Sequence, residues 1–572
     1  MNGSSYENNS IEEAIKQPYT IQLYTKNSPA FNSVMKDFPS IRIEKIVRGD
    51  FVVFYMDSRM LSDLLERVNT SYIEMYPDVM TLLGKASLDA STITEVQRNQ
   101  FLDLRGRGTL VGIIDTGIDY TKEVFQFRDG VSKIRYIWDQ TIEGNSPYGF
   151  SFGSEYTNEQ INRALQSDTP FNYVPSVDTD GHGTFLASVA AGRKDFAYIG
   201  AAPEAELLIV KLRKIDQASY DINLIPRNQE NAYSAADVML AIDYMIDKAY
   251  EHSMPLAICI GLGSNMSGHD SYEIIEQYMT GISLLNGICI CTAAGNESNA
   301  GHHAGGSLSA TNSTYNIQIR VPENSSNFML NIYANASDRM SVSLKSPLGE
   351  VIPRAVAVSG QRTETRLILE RARIGVEYYF PVTAGGSHFI HIRFYNPTPG
   401  IWDITLYGDI ILDGRFDAWL PITGLATPGI QFINPDPFST ITTPGTAMGS
   451  ITCGAYNDKD NSLYIRSSWG PSRNKFQKPD LVAPGVDVSG IYPMGTGTMT
   501  GTGVAAAITA GACALILQWG IVDKNDVSLN TNRIKALLIK GCNRDLNIQY
   551  PSLQWGYGKL DLLNTFRQLR SF

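Results

Sequence analysis

Three polar residues stand out for the company they keep. Asp115 lies in Gly-Ile-Ile-Asp-Thr-Gly, His182 in Asp-Gly-His-Gly-Thr, and Asn296 in Ala-Ala-Gly-Asn. Asp115 closes an apolar run that reads as a buried strand. An acid at the carboxyl end of such a strand opens into the crevice where α/β proteins place ligands; before a turn, the same residue also serves as a helix N-cap. Asp-Thr-Gly is also a mark of aspartic proteases, which need two carboxylates sharing a proton. No second Asp-Thr-Gly or Asp-Ser-Gly occurs. The glycines flanking His182 let backbone come close to its imidazole. Asn296 is either a loop amide that caps its neighbours or a donor to a developing oxyanion. A fourth stretch, Thr500–Gly511 (TGTGVAAAITAG), turns sharply into a small-residue helix. Where such a turn would present a hydroxyl or thiol nucleophile stands Gly503, which has no side-chain atom for covalent catalysis.

Other candidates read as structural. His302 and His303 sit in a glycine-rich loop and read as solvated, with no spacing of carboxylates or thiols to support a metal. The six cysteines, Cys259, Cys289, Cys291, Cys453, Cys513 and Cys542, mostly lie in apolar runs. They read as buried free thiols of a reducing compartment. Cys289 and Cys291 lie too close together on one strand to suggest a zinc site.

The elements that must position these groups follow from periodicity. Residues 1–18 form a polar leader. Residues 19–84 read as a small α+β unit: the strand QPYTIQLYT, the helix SPAFNSVMKDF, a hairpin turning near Arg48-Gly49-Asp50, the helix SRMLSDLLERVN and the extended YIEMYPDVMTLL. Residues 85–105 read as a linker. From residue 106 to 306, apolar strands alternate with helices, which implies a parallel sheet covered on both faces. Between 307 and 430 the runs are short and β-rich, which predicts an inserted β-sandwich resembling a jelly roll. The α/β rhythm resumes over 431–572 and is expected to end in the amphipathic helix TNRIKALLIKGC. The fold class predicted is α/β.

In the order Asp, His, then a turn into a small-residue helix, these motifs resemble the subtilisin-like (S8) serine proteases. IIDTGID looks like the family's Asp block, DGHGTFLA its His block, AAGN its oxyanion block and GTGVAAAITAG its Ser block. The resemblance implies that Asp115 orients the imidazole and that His182 acts as general base and then general acid. It implies that Asn296 donates to the oxyanion with the backbone N–H of Gly503, and that Gly261, Leu262 and Gly263 line the cleft where a peptide adds as a strand. The family's serine is replaced by Gly503. In subtilisin itself, a relative, losing the nucleophile costs about 10⁶ in turnover. Glycine here favours a natural pseudoprotease, with two alternatives: an active endopeptidase altered at its nucleophile, and a small-molecule receptor.

The polar leader, the β insertion and GRGTLVGIIDTGIDYTKEVFQFRDGVSKIRYIWDQT also resemble the Csp germination proteases of spore-forming clostridia. That group implies a prodomain, a jelly-roll insertion, synthesis in the cytoplasm without a signal peptide, and storage in the spore. Its active members process the pro-form of a cortex-lytic hydrolase. Its inactive members serve in germinant sensing or regulation. The partners implied are the chain's own prodomain tail in the cleft, a protein partner or substrate, and a small-molecule germinant. No cofactor is expected. Structural calcium, frequent in the family, has no readable ligand set.

Composition sets the bounds. The 572 residues, 43% of them hydrophobic and 18% charged, are globular in kind and too many for one core. A net charge of −11 argues against nucleic acid and anionic membrane as partners. No stretch reads as a membrane span, and the N-terminus lacks the apolar core of a secretory signal.

Overall fold

Seven parallel strands carry the molecule, and their sequences show why both faces are covered. The sheet runs, in spatial order, Leu481–Pro484, Ile451–Tyr456, Ile288–Ala293, Leu256–Ile260, Leu110–Asp115, Glu206–Lys211 and Ile134–Asp139, with Ser154–Thr157 antiparallel at the edge. Alternation by two sends Val111 and Ile113 to one face and Leu110 and Ile114 to the other. The first pair packs in a core with the helices His182–Ala191 and Thr502–Leu517. The second pair packs against the helices Ala235–Glu251 and Ile274–Ile282. Gly112 is required by this packing: a Cβ there would lie 2.5 Å from Met245 Sδ. The computed structural model describes residues 11, 15, 17, 19–35, 37–67, 79–82, 89–194, 198–380 and 386–569.

The helix that begins at Thr502 continues in helical form to Val522. Its 21 residues are long and apolar enough by composition to cross a bilayer, contrary to the sequence reading, yet 89% of its apolar window is buried inside the protein. It is the central core helix of the α/β body.

The N-terminal unit forms a three-stranded antiparallel sheet in the order Thr20–Lys26, Phe51–Asp57, Arg42–Val47. Gly49 and Asp50 turn the hairpin at φ 83° and 61°. Its helices, Pro29–Met35 and Leu61–Arg67, help close a small core around Ile21, Leu23, Phe31 and Phe54. The other face of the sheet, with Tyr24, Phe51 and Val53, joins the core under Ala235–Glu251. Polar ties fix the docking: Gln22 donates to Asp237 at 2.8 Å, Arg213 to Tyr55 Oη at 2.8 Å, and Lys45 pairs with Asp243 at 3.0 Å. Of the extended tail YIEMYPDVMTLL, Val79–Leu82 is a strand; residues 72–78 and 83 lie outside the described residues.

Two sequence expectations are corrected here. Within the predicted linker, Ile93–Arg98 is a helix, and Ile93 and Val96 are fully buried. These two apolar residues three apart seat it on the core. TNRIKALLIKGC does form the helix Thr531–Gly541, but it is not the last; Leu562–Leu569 follows and packs on it.

Between Asn296 and the central helix, two antiparallel sheets face each other over a shared apolar core. One has six strands, from His303–Ser307 at one edge to Arg362–Arg366 at the other; the second has five, from Val351–Ala355 to Gln431–Phe432. The body seats this sandwich through His269, whose ring stacks on Trp419 at 4.2 Å, and through the Arg473–Asp270 pair, in which Arg473 donates to the Ser387 hydroxyl of the sandwich and that hydroxyl donates to Asp270 at 3.4 Å.

Candidate functional site

Asp115 ends its strand fully buried, and its own Oδ1 accepts the Thr116 N–H at 2.8 Å. His182 is the first residue of its helix, after Gly181 at φ 90°. Asp178 builds that entry: its carboxylate accepts Gly181 N–H at 2.8 Å, Thr184 N–H at 2.9 Å and the Thr184 hydroxyl at 2.6 Å. Gly183 lets the helix meet the Asp115 turn, since a Cβ there would lie 2.2 Å from Gly117 O. The imidazole Nδ1 then sits 2.8 and 3.0 Å from the two Asp115 oxygens. Burial opposes a charged His182. The charge and hydrogen bond of Asp115, with Asp180 and Asp178 behind, outweigh it and hold the imidazole above its ordinary value.

The other ring nitrogen, His182 Nε2, is buried and has no hydrogen-bond partner among the described residues. A buried polar atom left so is unusual in a folded protein. It is the atom that would take a proton from a nucleophile. Gly503, the second residue of the central helix, is fully buried and offers none.

Asn296 belongs to the same centre. Its Oδ1 accepts Thr502 N–H at 3.1 Å and the Thr502 hydroxyl at 3.2 Å, while Thr502 Oγ1 accepts Gly295 N–H at 3.0 Å. This assigns the Asn296 carbonyl to the helix and leaves its NH₂ as a donor. The first N–H groups of a helix lack intrahelical partners, so the Asn296 amide and the helix start can together stabilise an anion. Gly261 lies against the imidazole: a Cβ there would be 3.5 Å from His182 Cε1 and from Asp115 Oδ2, and 2.8 Å from Leu186 Cδ1.

Leu262 and Gly263 form an edge strand, and the tail strand Val79–Leu82 lies beside it. Leu262 stands opposite Leu82, and Gly263 opposite Thr81. On its other side the tail pairs antiparallel with Tyr233–Ser234, Met80 opposite Tyr233. Met80 is fully buried in the core that contains Leu262 and Tyr233. The cleft between the two edges is filled by the chain's own segment.

Sequence reasoning missed Thr502 and Asp178 as positioning groups. Asp178 had a legible signal, an Asp just ahead of a helix start. The solvated reading of His302 and His303 is corrected: they are 7% and 2% exposed. His302 Nδ1 lies 2.6 Å from Glu297, and His303 Nε2 lies 3.1 Å from Asp417, partners supplied by tertiary packing. Burial disfavours the Glu297 carboxylate, but His302 and the bonds from Thr423 outweigh it and hold Glu297 low.

All six cysteines are free and buried. Against the expectation from spacing, Cys513 of the central helix meets Cys289 and Cys291, with the three sulfurs within 4.8 Å of one another. Burial pushes the Cys291 and Cys513 thiols well up. Among the described residues this is the one group of three or more His, Cys, Asp or Glu ligands close enough to hold an ion. Sulfur donors do not suit calcium, which takes oxygen ligands.

The comparisons agree with this geometry. The subtilase family model matches residues 106–365 and 433–558. The structure of the Clostridium perfringens CspB protease superposes with a TM-score of 0.75 at 31% identity, covering 85% of this chain and 99% of that one. Subtilisin-like protease SBT3 of Solanum lycopersicum is 23% identical over 457 residues, 72% of this chain and 55% of its own length. The C5a peptidase of Streptococcus pyogenes is 29% identical over 119 residues, 20% of this chain and 10% of its own length. The chain thus spans about half or less of these two curated relatives. The parallel sheet, the Asp115–His182 pair at its carboxyl end and the family match over more than half the chain make this protein a member of the subtilase family.

Proposed function

We propose that the chain is a catalytically silent subtilase that works by binding, in the regulation of spore germination. The observation that carries the reading is the orphaned His182 Nε2 facing a site whose nucleophile position is Gly503. In this reading Asp115 orients His182, and Asn296 with the Gly503 N–H forms an oxyanion site that no acyl-enzyme ever uses. The germination role is supported by the likeness to CspB and by the resemblance of the leader and β insertion to that group. With the tail seated between Tyr233 and Leu262, a protein partner is met on outer surfaces, because a tethered segment competes at high effective concentration. The protein is stored in the spore with its partner. A fluorophosphonate probe tests the central point: it should leave the parent unlabelled and label Gly503→Ser. Labelling of the parent would overturn the reading.

The intact Asp115–His182 pair also favours a second reading, an active endopeptidase altered at one position. Serine at codon 503 of the source gene would establish it, and glycine would exclude it.

A further inference from the structure

Three cysteines of the α/β body converge under its central helix. Alternation by two along the strand Ile288–Ala293 sends Ile288 and Ile290 to one face of the sheet. It sends Cys289 and Cys291 to the other, where the helix Thr502–Leu517 packs. Cys513 of that helix meets both. The three sulfurs lie within 4.8 Å of one another, and Cys291 Sγ is 3.7 Å from Cys513 Sγ. All three residues are fully buried and none is in a disulfide.

The placement of the cysteines is not that of ordinary core filling. A free cysteine packs as a small hydrophobe, and chance would share six of them among the cores. All six lie instead in the core on this one face of the sheet. The core on the opposite face, the sandwich core and the core of the N-terminal unit hold none. Cys259 stands beside Cys291 on the neighbouring strand.

The trio has the dimensions of a metal site. A triangle with sides between 3.7 and 4.8 Å has its centre about 2.1–2.8 Å from each corner, against about 2.3 Å for a zinc–thiolate bond. The ligands and their surroundings choose the ion. Thiolates select copper(I), zinc and iron–sulfur clusters. Structural zinc takes four ligands, and the clusters take four thiolates. No fourth His, Cys, Asp or Glu joins the three among the described residues. Fully buried sulfurs in an apolar core leave no coordination position open to solvent. Copper(I) is soft, has a filled d shell and is satisfied by two or three sulfurs.

We propose that Cys289, Cys291 and Cys513 bind one copper(I) ion in a closed, three-coordinate site. A bound ion deprotonates a coordinating thiol outright. The thiol protons pass to solvent as the ion enters, and affinity rises with pH. The charge of the ion, with that of Lys535 acting on Cys289, opposes the charge that the thiolates bring into the core. Because the sulfurs are fully buried, the ion is taken up as the chain folds. It staples the strand that leads to Asn296 to the helix that carries Gly503. Those two elements also meet where Asn296 Oδ1 accepts the Thr502 N–H. The site does not depend on whether the chain is catalytically silent.

The test loads the full chain with copper by two routes. One is expression in copper-supplemented medium. The other is anaerobic dilution from denaturant into reductant and an equivalent of copper(I). After a competing chelator has removed loose metal, the folded chain should retain about one copper. X-ray absorption should show about three sulfurs at about 2.3 Å. The loaded chain should melt above the metal-free chain. Cys513→Ala should hold copper at least about tenfold more weakly and lose the difference in melting. Cys542→Ala, outside the trio, should keep both. Should Cys513→Ala fail to fold, Cys289→Ala and Cys291→Ala carry the same expectation. A folded parent that retains no copper by either route would overturn the proposal. Copper kept at full strength by the trio variants would do the same, as would zinc retained in preference to copper.

Discussion

Leu82 of the tail stands opposite Leu262 of the cleft edge, next in sequence to Gly261, whose position lies against the His182 imidazole. The register is that of a peptide added as a strand, with main-chain bonds giving affinity and pockets giving specificity. Val79, Met80 and Thr81 are all buried on this strand, Met80 fully so.

Met80→Ala should therefore loosen the tail without unfolding the sheet. Truncating a buried methionine costs about 2–5 kcal/mol. Limited proteolysis should cut Met80→Ala within the tail well before the parent, while the parallel body resists in both. Equal resistance would show that the tail is not held by this contact.

His182 should titrate above its ordinary value of about 6.5. The sign follows from linkage: the stability it contributes is present below about 6.5 and is lost as pH rises through the higher folded value. The imidazole Cε1–H resonance should report this midpoint, and Asp115→Asn should lower it. A midpoint at or below 6.5 in the parent would mean that burial, not Asp115, governs the ring.

Two other histidines should act with the opposite sign. Burial pushes His269, stacked on Trp419, and His388, inside the sandwich, down to about 4. Both stay neutral when folded, so their contribution is present above about 6.5 and is lost as pH falls toward about 4. The denaturation midpoint followed by tryptophan fluorescence should drop between pH 7 and pH 5, and drop less in His269→Asn. An equal drop would remove His269 from the account.

How much of this was legible depended on whether the signal was local. Gly-Ile-Ile-Asp-Thr-Gly and Asp-Gly-His-Gly-Thr carry their structural reasons within a few residues, a strand end and a helix start, so Asp115 and His182 could be singled out. The sandwich was visible from the loss of helical period. His302 and His303 were misread because their buried partner Asp417 and the packing around Glu297 come together only in the fold. Cys513 meets Cys289 and Cys291 across a helix–sheet contact that spacing along the chain does not encode. Ile93 and Val96 lie in a stretch whose polar residues masked a two-residue anchor.

The central claim is that one missing hydroxyl silences an otherwise complete site. Gly503 adopts ordinary helical backbone, so serine fits there without a left-handed strain penalty. Gly503→Ser restores the hydroxyl that the family's Ser block carries, and the buried His182 Nε2 has no other partner among the described residues. The most direct measurement is the intact mass of the purified parent and of Gly503→Ser, prepared side by side. The parent should show one unbroken chain of 572 residues. The variant should release an N-terminal fragment ending within residues 83–88, just past the paired strand Val79–Leu82. A parent already cut at that place in a pure preparation would contradict the account, and so would a folded variant that stays whole.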